Sequence, residues 1–319
     1  AATATGAGPL AYQWRRNGVA LAGATSATLG LTATSVGDVG DYSVVVTNSL
    51  GAATSLAAAL TVDPSAWLSN MSLRTTLAAG QTVIVGFVVN GGAKDLLVRA
   101  VGPALVAFGL PTAMADPRLE LYRGTTKVAE NNDWPTALAS TFASLGAFPL
   151  PAASRDAALL QNLSGSHSVQ ATGTAGGVVL IEGYDAGSGS GKRLVNLSAR
   201  NRVGTGADIL IAGFYITGTG TRRVLIRATG PALTAFGVSG ALADPKLEVN
   251  DGAVRIAEND NWDSSLAGVF GQVGAFPLTA GSKDSAVVLT LSAGRSYTVQ
   301  VSGAGGGVGE ALVEVYEVP

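Results

Sequence analysis

The chain is written twice over most of its length. Arg99-Ala-Val-Gly-Pro-Ala-Leu returns as Arg227-Ala-Thr-Gly-Pro-Ala-Leu, Ala115-Asp-Pro-Arg-Leu-Glu as Ala243-Asp-Pro-Lys-Leu-Glu, and Gly146-Ala-Phe-Pro-Leu as Gly274-Ala-Phe-Pro-Leu, each 128 positions on. A duplication of that size, carrying no recognisable catalytic constellation, is a way to gain length, area or valency. In 319 residues it leaves two similar domains and an N-terminal remainder, so three modest cores are expected.

Composition removes several function classes. Hydrophobic residues make up 47% and charged residues 13%, yet no apolar run reaches the roughly 18 residues of a membrane span. The formal charge of −2 is spread without blocks of one sign, so neither a nucleic-acid face nor a polybasic membrane patch is expected. Cysteine is absent, which excludes disulfides and thiolate chemistry. A mixture rich in Ala, Gly, Ser and Thr fits a β-protein secreted by, or displayed on, a bacterium. Residue 1 opens on no charged n-region or apolar h-region, so a targeting signal is expected to have been removed or to lie upstream.

The first 63 residues read as short strands: Tyr12-Gln-Trp-Arg-Arg running into Asn17-Gly18, then Ala27-Thr-Leu-Gly-Leu, Asp41-Tyr-Ser-Val-Val-Val-Thr-Asn and Ala57-Ala-Ala-Leu-Thr-Val. Trp14 stands at a third-strand core position, and Asp38-Val-Gly-Asp-Tyr42 has the form of a turn and tyrosine corner. On these residues the segment resembles an immunoglobulin-like domain of the kind strung along large secreted bacterial proteins. Val44 takes the place where antibody domains carry their second cysteine, so the resemblance implies that Trp14 packs on aliphatic side chains. About eleven residues precede Tyr12, too few for a first strand and most of a second. The segment 1–63 therefore reads as a sandwich lacking its first strand, with an edge to be filled by an upstream segment or by a strand from a neighbouring subunit.

Pro64-Ser65 is a connector. The first copy then runs over 67–185 with eight β-branched or alternating segments: Leu68 to Arg74, Thr82 to Val89, Leu96 to Val101, Arg118 to Tyr122, Thr126 to Ala129, Ala157 to Leu160, Ser168 to Ala171 and Val178 to Tyr184. Short helices are predicted at Pro103 to Gly109 and Ala137 to Gly146. Gly187-Ser-Gly-Ser-Gly is a flexible linker, and the second copy, 194–319, follows the same plan to a terminal strand that should pair within its own sheet. Asp244-Pro-Lys-Leu-Glu248, Glu258-Asn-Asp260, Asp284-Ser285 and Tyr297-Thr-Val-Gln-Val301 resemble the jelly-roll modules of pre-peptidase C-terminal type found behind secreted peptidases. That resemblance implies a non-catalytic role in adhesion, solubility or secretion. At His167-Ser-Val-Gln the first copy departs from the cadence, its strand starting two residues shorter.

Candidate chemistry is sparse. Asp116, Asn131, Asn132, Asp133 and Asp156, with their counterparts Asp244, Asn259, Asp260, Asn261 and Asp284, offer the carboxylate and amide oxygens that calcium takes. The same residues are also common turn formers, and Asp116 and Asp244 each precede a proline. Arg99 and Arg227 fall inside apolar strands, where a guanidinium is expected to be held by a carboxylate such as Glu120 or Glu248. Trp134 and Trp262 either cap a small core or stack on a sugar ring. His167, the single histidine, is expected at the surface, and without a second histidine neither a triad nor a histidine zinc site is available. Glu130 and Asp133 lie too close in one turn for a glycosidase pair. Ala186 and Arg193 stand where a phosphate loop needs Gly and Ser or Thr. Sequons at Asn70, Asn162 and Asn196 carry little weight in a bacterial protein.

The sequence thus predicts an all-β chain of three β-sandwich domains in tandem, an incomplete immunoglobulin-like sandwich followed by two homologous jelly-roll-like repeats. The expected function is an extracellular structural or adhesive protein, self-assembling into a filament or surface layer by strand or end-to-end contacts. The alternative is a carbohydrate- or matrix-binding module of a larger secreted enzyme. Expected partners are further copies of the chain, other surface proteins or polysaccharide. No catalytic residue and no cofactor beyond calcium is predicted.

Overall fold

A computed structural model describes residues 1–31, 38–60, 66–189 and 191–319. The chain is all-β and divides into two compact units, Ala1–Pro64 and Ser65–Val318. The connector Pro64-Ser65 lies outside the described residues.

The first unit is built on one sheet. β1 (Ala11–Arg16) turns at Asn17 and Gly18, both at positive φ, into β2 (Val19–Ala20), as a two-residue hairpin of Asn-Gly type requires. β3 (Gly40–Asn48) pairs β1 on one side and β4 (Gly51–Thr54) and β5 (Ala58–Leu60) on the other. The tyrosine corner forms, the Tyr42 hydroxyl donating to the Asp38 carbonyl at 2.7 Å. Trp14 stands directly opposite Val44 in the β1–β3 ladder. One expectation is corrected. Ala27 to Leu31 forms no strand, so the described residues supply one sheet where a sandwich was read. Beside Trp14, Leu21 and Ala24 exchange backbone hydrogen bonds with that residue at 2.9 Å each.

The second unit holds both copies. The first contributes β6 (Ala66–Leu77), β7 (Thr82–Val101), β8 (Pro117–Arg123), β9 (Thr126–Asn131), β10 (Ala157–Gly173) and β11 (Gly177–Asp185). The second contributes β12 (Arg193–Val203), β13 (Leu210–Gly218), β14 (Thr221–Thr229), β15 (Pro245–Asp251), β16 (Val254–Asn259), β17 (Ser285–Ser292), β18 (Arg295–Gly303) and β19 (Gly309–Glu317). β7 is one strand where two were read, bent at Gly91 (φ 82°) and Gly92 (φ 125°), a backbone conformation that side chains with a Cβ resist. The predicted helices appear as the 3₁₀ turn Pro103–Phe108 and as Thr136–Leu138 leading into α1 (Ala139–Ser144), with α2 (Ala267–Val273) in the second copy.

The copies exchange their first strands. β6 pairs β11 of its own copy on one side and β13 of the other copy on the opposite side, through Ala66 to Arg74. Correspondingly β12 pairs β19 of its own copy and the first half of β7. Two rows of strands result. One runs β16, β15, β18, β13, β6, β11 and the second half of β7, ending on the first half of β10. The other runs β9, β8, the second half of β10, the first half of β7, β12, β19, β14 and β17. Swapping the copies turns each row into the other. Among the described residues β19 pairs β12 and β14, both of its own copy.

Close approach at the exchange depends on matched small residues. Gly86 lies opposite Ser198, and Gly213 opposite Ser72. A Cβ at either glycine would stand 2.5 Å from the facing serine Oγ. The principal core joins both copies, with Leu68, Leu73, Val85 and Phe87 in one cluster with Leu197, Phe214, Val299 and Val313. Two satellite clusters, one per copy, form around Phe142 and Phe270. The three sandwiches read from sequence are therefore two compact units. Residues 67–185 and 194–319 bound the copies along the chain, while strand pairing and a common core merge them into one body.

Candidate functional site

Arg99 and Arg227 have no solvent exposure, and their partners are not the ones sequence proximity indicated. Arg99 Nε and Nη2 donate to Glu182 Oε2 at 3.0 and 2.5 Å, and Nη1 donates to the Phe148 carbonyl at 2.7 Å. The guanidinium carbon lies 4.8 Å from the Phe142 ring centre and 4.5 Å from that of Phe148. Arg227 repeats the arrangement with Glu314, Phe276 and Phe270. Each Arg and Glu sit directly opposite one another on paired strands, which fixes the choice. Glu120 and Glu248 instead join exposed ladders with Lys127 and Arg118, and with Lys246 and Arg255. The buried boxes are structural, every guanidinium face being covered.

Burial, with the Glu182 carboxylate close by, pushes the Tyr184 hydroxyl far above its ordinary value of 10.0, and Tyr316 is raised in the same way beside Glu314. Both phenols therefore stay protonated and donate to those carboxylates, Tyr184 at 2.7 Å and Tyr316 at 2.5 Å. A group whose folded value is raised stabilises the fold fully below its unfolded value and loses that contribution as pH climbs through the folded one. On alkaline titration followed by phenolate absorbance, these two of the seven tyrosines are expected to ionise only as the unit unfolds. Ionisation of all seven while the circular dichroism stays native would contradict this.

The Asp/Asn cluster is dispersed into backbone duties. Asp156 Oδ1 accepts from the Gly102 and Ala104 amides, and Asp284 Oδ1 from those of Gly230 and Ala232. Asn131 and Asn259 accept from the amides of Ala158 and Ala286 at 2.9 Å and donate to the carbonyls of Asp133 and Asn261. Asp116 pairs with Arg155 and Asp244 with Lys283, while Asp133 and Asp260 stay in exposed turns. Among the described residues no three His, Cys, Asp or Glu side chains gather as a metal-holding group, so the calcium candidates are not brought together as a cation cage.

Three further candidates resolve as packing. Trp134 and Trp262 are buried and tilt onto Phe142 and Phe270 at 5.2 and 5.3 Å, capping the satellite cores. His167 is buried rather than at the surface, stacked on Phe87 at 5.9 Å. Its structural counterpart is Tyr297, stacked on Phe214, because the shorter strand start shifts the register.

A groove that the sequence did not announce opens on the outer side of the first row. It has a volume of about 490 Å³ and lies between β11, β6, β13 and β18 and the end of α1. A bulge places it there: Leu68 pairs Ile216 and Asn70 pairs Tyr215, leaving Ser69 as the extra residue. Leu68 and Met71 thus point into the core while Trp67, Ser69 and Asn70 line the groove. Tyr184, Asn70, Tyr215 and Ser296 form a row of direct neighbours across four strands, with Trp67 opposite Thr217 in the next rank. At one end Lys94 Nζ holds Asp185 at 2.6 Å with both side chains almost fully covered, and the Trp67 indole interacts with the same carboxylate. Burial raises the Asp185 carboxyl against that pull.

The place related to it by swapping the copies is built differently. Arg193 stands for Trp67, Val88 for Tyr215 and Glu317 for Asp185. Arg193 Nε donates to Glu317 Oε2 at 2.8 Å, and Arg222, the counterpart of Lys94, reaches the same oxygen at 3.0 Å. The other carboxylate oxygen accepts from the Leu68 amide at 2.8 Å. One repeated scaffold thus carries an aromatic, hydroxyl-lined groove at one of two equivalent places and a sealed ionic cluster at the other.

No family model and no curated protein matches the chain. Among solved structures, the major capsid protein P2 from bacteriophage PM2 is similar at 9% identity, over 79% of this chain and 98% of that one, with a TM-score of 0.21. A likeness so loose carries neither fold nor function.

Proposed function

We propose that the chain is a non-catalytic structural segment of an exported bacterial surface protein. The observation that carries this reading is the merger of two sequence copies into one strand-exchanged body. Duplication has gone into continuous sheets and a shared core, and the buried arginines Arg99 and Arg227 are paired inside it with Glu182 and Glu314 rather than aimed at a cleft. Absence of cysteine and the low charge suit an exported β-scaffold that folds without disulfides. Among the described residues no helix is long and apolar enough to cross a membrane.

Filament growth by sheet-edge addition is the less favoured form of this role. The row-end strands β9 and β16 carry ion-pair ladders, Lys127 with Glu130 at 2.6 Å and Arg255 with Glu258 at 2.7 Å. Such pairs add little stability, but charged edge strands discourage another strand from docking. Immunogold labelling with antibodies to residues 66–319 is expected to mark intact, unpermeabilised cells of the source bacterium or its extracellular matrix. Signal confined to lysed cells would overturn the proposal.

A further inference from the structure

We infer that the groove around Trp67 and Tyr215 is a binding site for a neutral saccharide, a function separate from the structural role of the body that carries it.

The first argument is an internal control. The two copies keep the same folding apparatus, down to the buried Arg99 and Arg227 boxes and the paired glycines at the strand exchange. The bulge that shapes the groove is also kept, since β12 shifts register between Leu194 and Asn196 as β6 does around Ser69. Yet the place related to it by swapping the copies folds with Arg193, Val88 and Glu317. The fold therefore does not need Trp67 and Tyr215, whose aromatic surfaces are left partly exposed. Partly exposed aromatic rings that packing does not demand mark recognition.

The second argument is chemical. A pyranose presents a face of polarised C–H bonds and a rim of hydroxyls that each donate and accept. An indole and a phenol supply electron-rich faces for the former. Ser69, Tyr215, Thr217 and Ser296 line the groove with hydroxyls that have no hydrogen-bond partner in the protein among the described residues, and Asn70 adds an amide. These groups can donate or accept as the rim requires. The lining offers no cation for a phosphate or an acidic sugar, because Lys94 is covered and committed to Asp185. Asp185 in turn is neutralised by Lys94, which leaves the lining without net charge. A volume of about 490 Å³ falls within the range of small-ligand sites.

The test is native affinity electrophoresis of the full chain through gels containing laminarin, xyloglucan, galactomannan or, as the acidic comparison, polygalacturonate. At least one neutral polymer is expected to retard the protein. Replacing Trp67→Arg together with Tyr215→Val, which installs the side chains that the equivalent place already folds with, is expected to weaken retardation at least about tenfold, as loss of aromatic anchors does. The melting temperature of that variant should stay close to that of the parent, and Trp67→Ala provides a second, independent variant. Retardation by none of the neutral polymers, retardation by polygalacturonate alone, or retardation unchanged in both variants would each overturn the inference.

Discussion

Replacing Glu182 with alanine is expected to destabilise the strand-exchanged unit by about 3–5 kcal/mol, the cost of leaving a buried charge without its partner. Arg99 is fully enclosed, and Glu182 takes two of its donors on a single oxygen while the other oxygen holds the Tyr184 hydroxyl. With the carboxylate gone, the guanidinium keeps the Phe148 carbonyl and the Phe142 and Phe148 rings, which cannot neutralise it. Removing both charges with Arg99→Leu and Glu182→Leu should recover much of the loss, since an ion pair replaced by packed hydrophobes is often neutral in stability. Glu120→Ala, which alters only a partly exposed ladder, should cost about 1 kcal/mol or less. Urea unfolding of the variants gives the comparison. Equal losses for Glu182→Ala and Glu120→Ala would show that the buried box is not what holds these strands.

That contrast also marks how far the sequence could be read. The repeat, the strand segments and the all-β class were legible because alternation and turn residues are local signals. Trp134 and Trp262 as core caps, and Asn131 and Asp156 as backbone-bonding residues, were within reach for the same reason. The partner of Arg99 was not, because Glu182 lies 83 positions away and only strand pairing brings it opposite. Nor was the environment of His167, whose shorter strand start puts it in register with Phe87.

The strand exchange was hidden for a different reason. Asn70, Ser72 and Arg74 of β6 reappear as Asn196, Ser198 and Arg200 of β12, so either strand satisfies the same pairing pattern and the sequence does not say which copy uses which. The groove followed from the exchange. Tyr215 reaches it on β13 and Trp67 on β6, strands of different copies that pairing alone makes neighbours.

The largest expected effect of all follows from that exchange. A single copy, residues 66–191, lacks the strand that β6 needs on its β13 side and the one that β7 needs on its β12 side. Left unpaired, these edges would expose Leu68, Val85 and Phe87, all buried in the intact unit. A second molecule of the same fragment can supply both missing strands, because β6 and the first half of β7 are the counterparts of β12 and β13. The internal pairing would then become a true twofold. Size-exclusion chromatography with light scattering, read beside circular dichroism and thermal melting, tests this directly. The expected result is that the fragment is folded only as a dimer of twice its chain mass and unfolds when diluted to monomer. A monomer that keeps its β-structure and melts cooperatively would contradict the account.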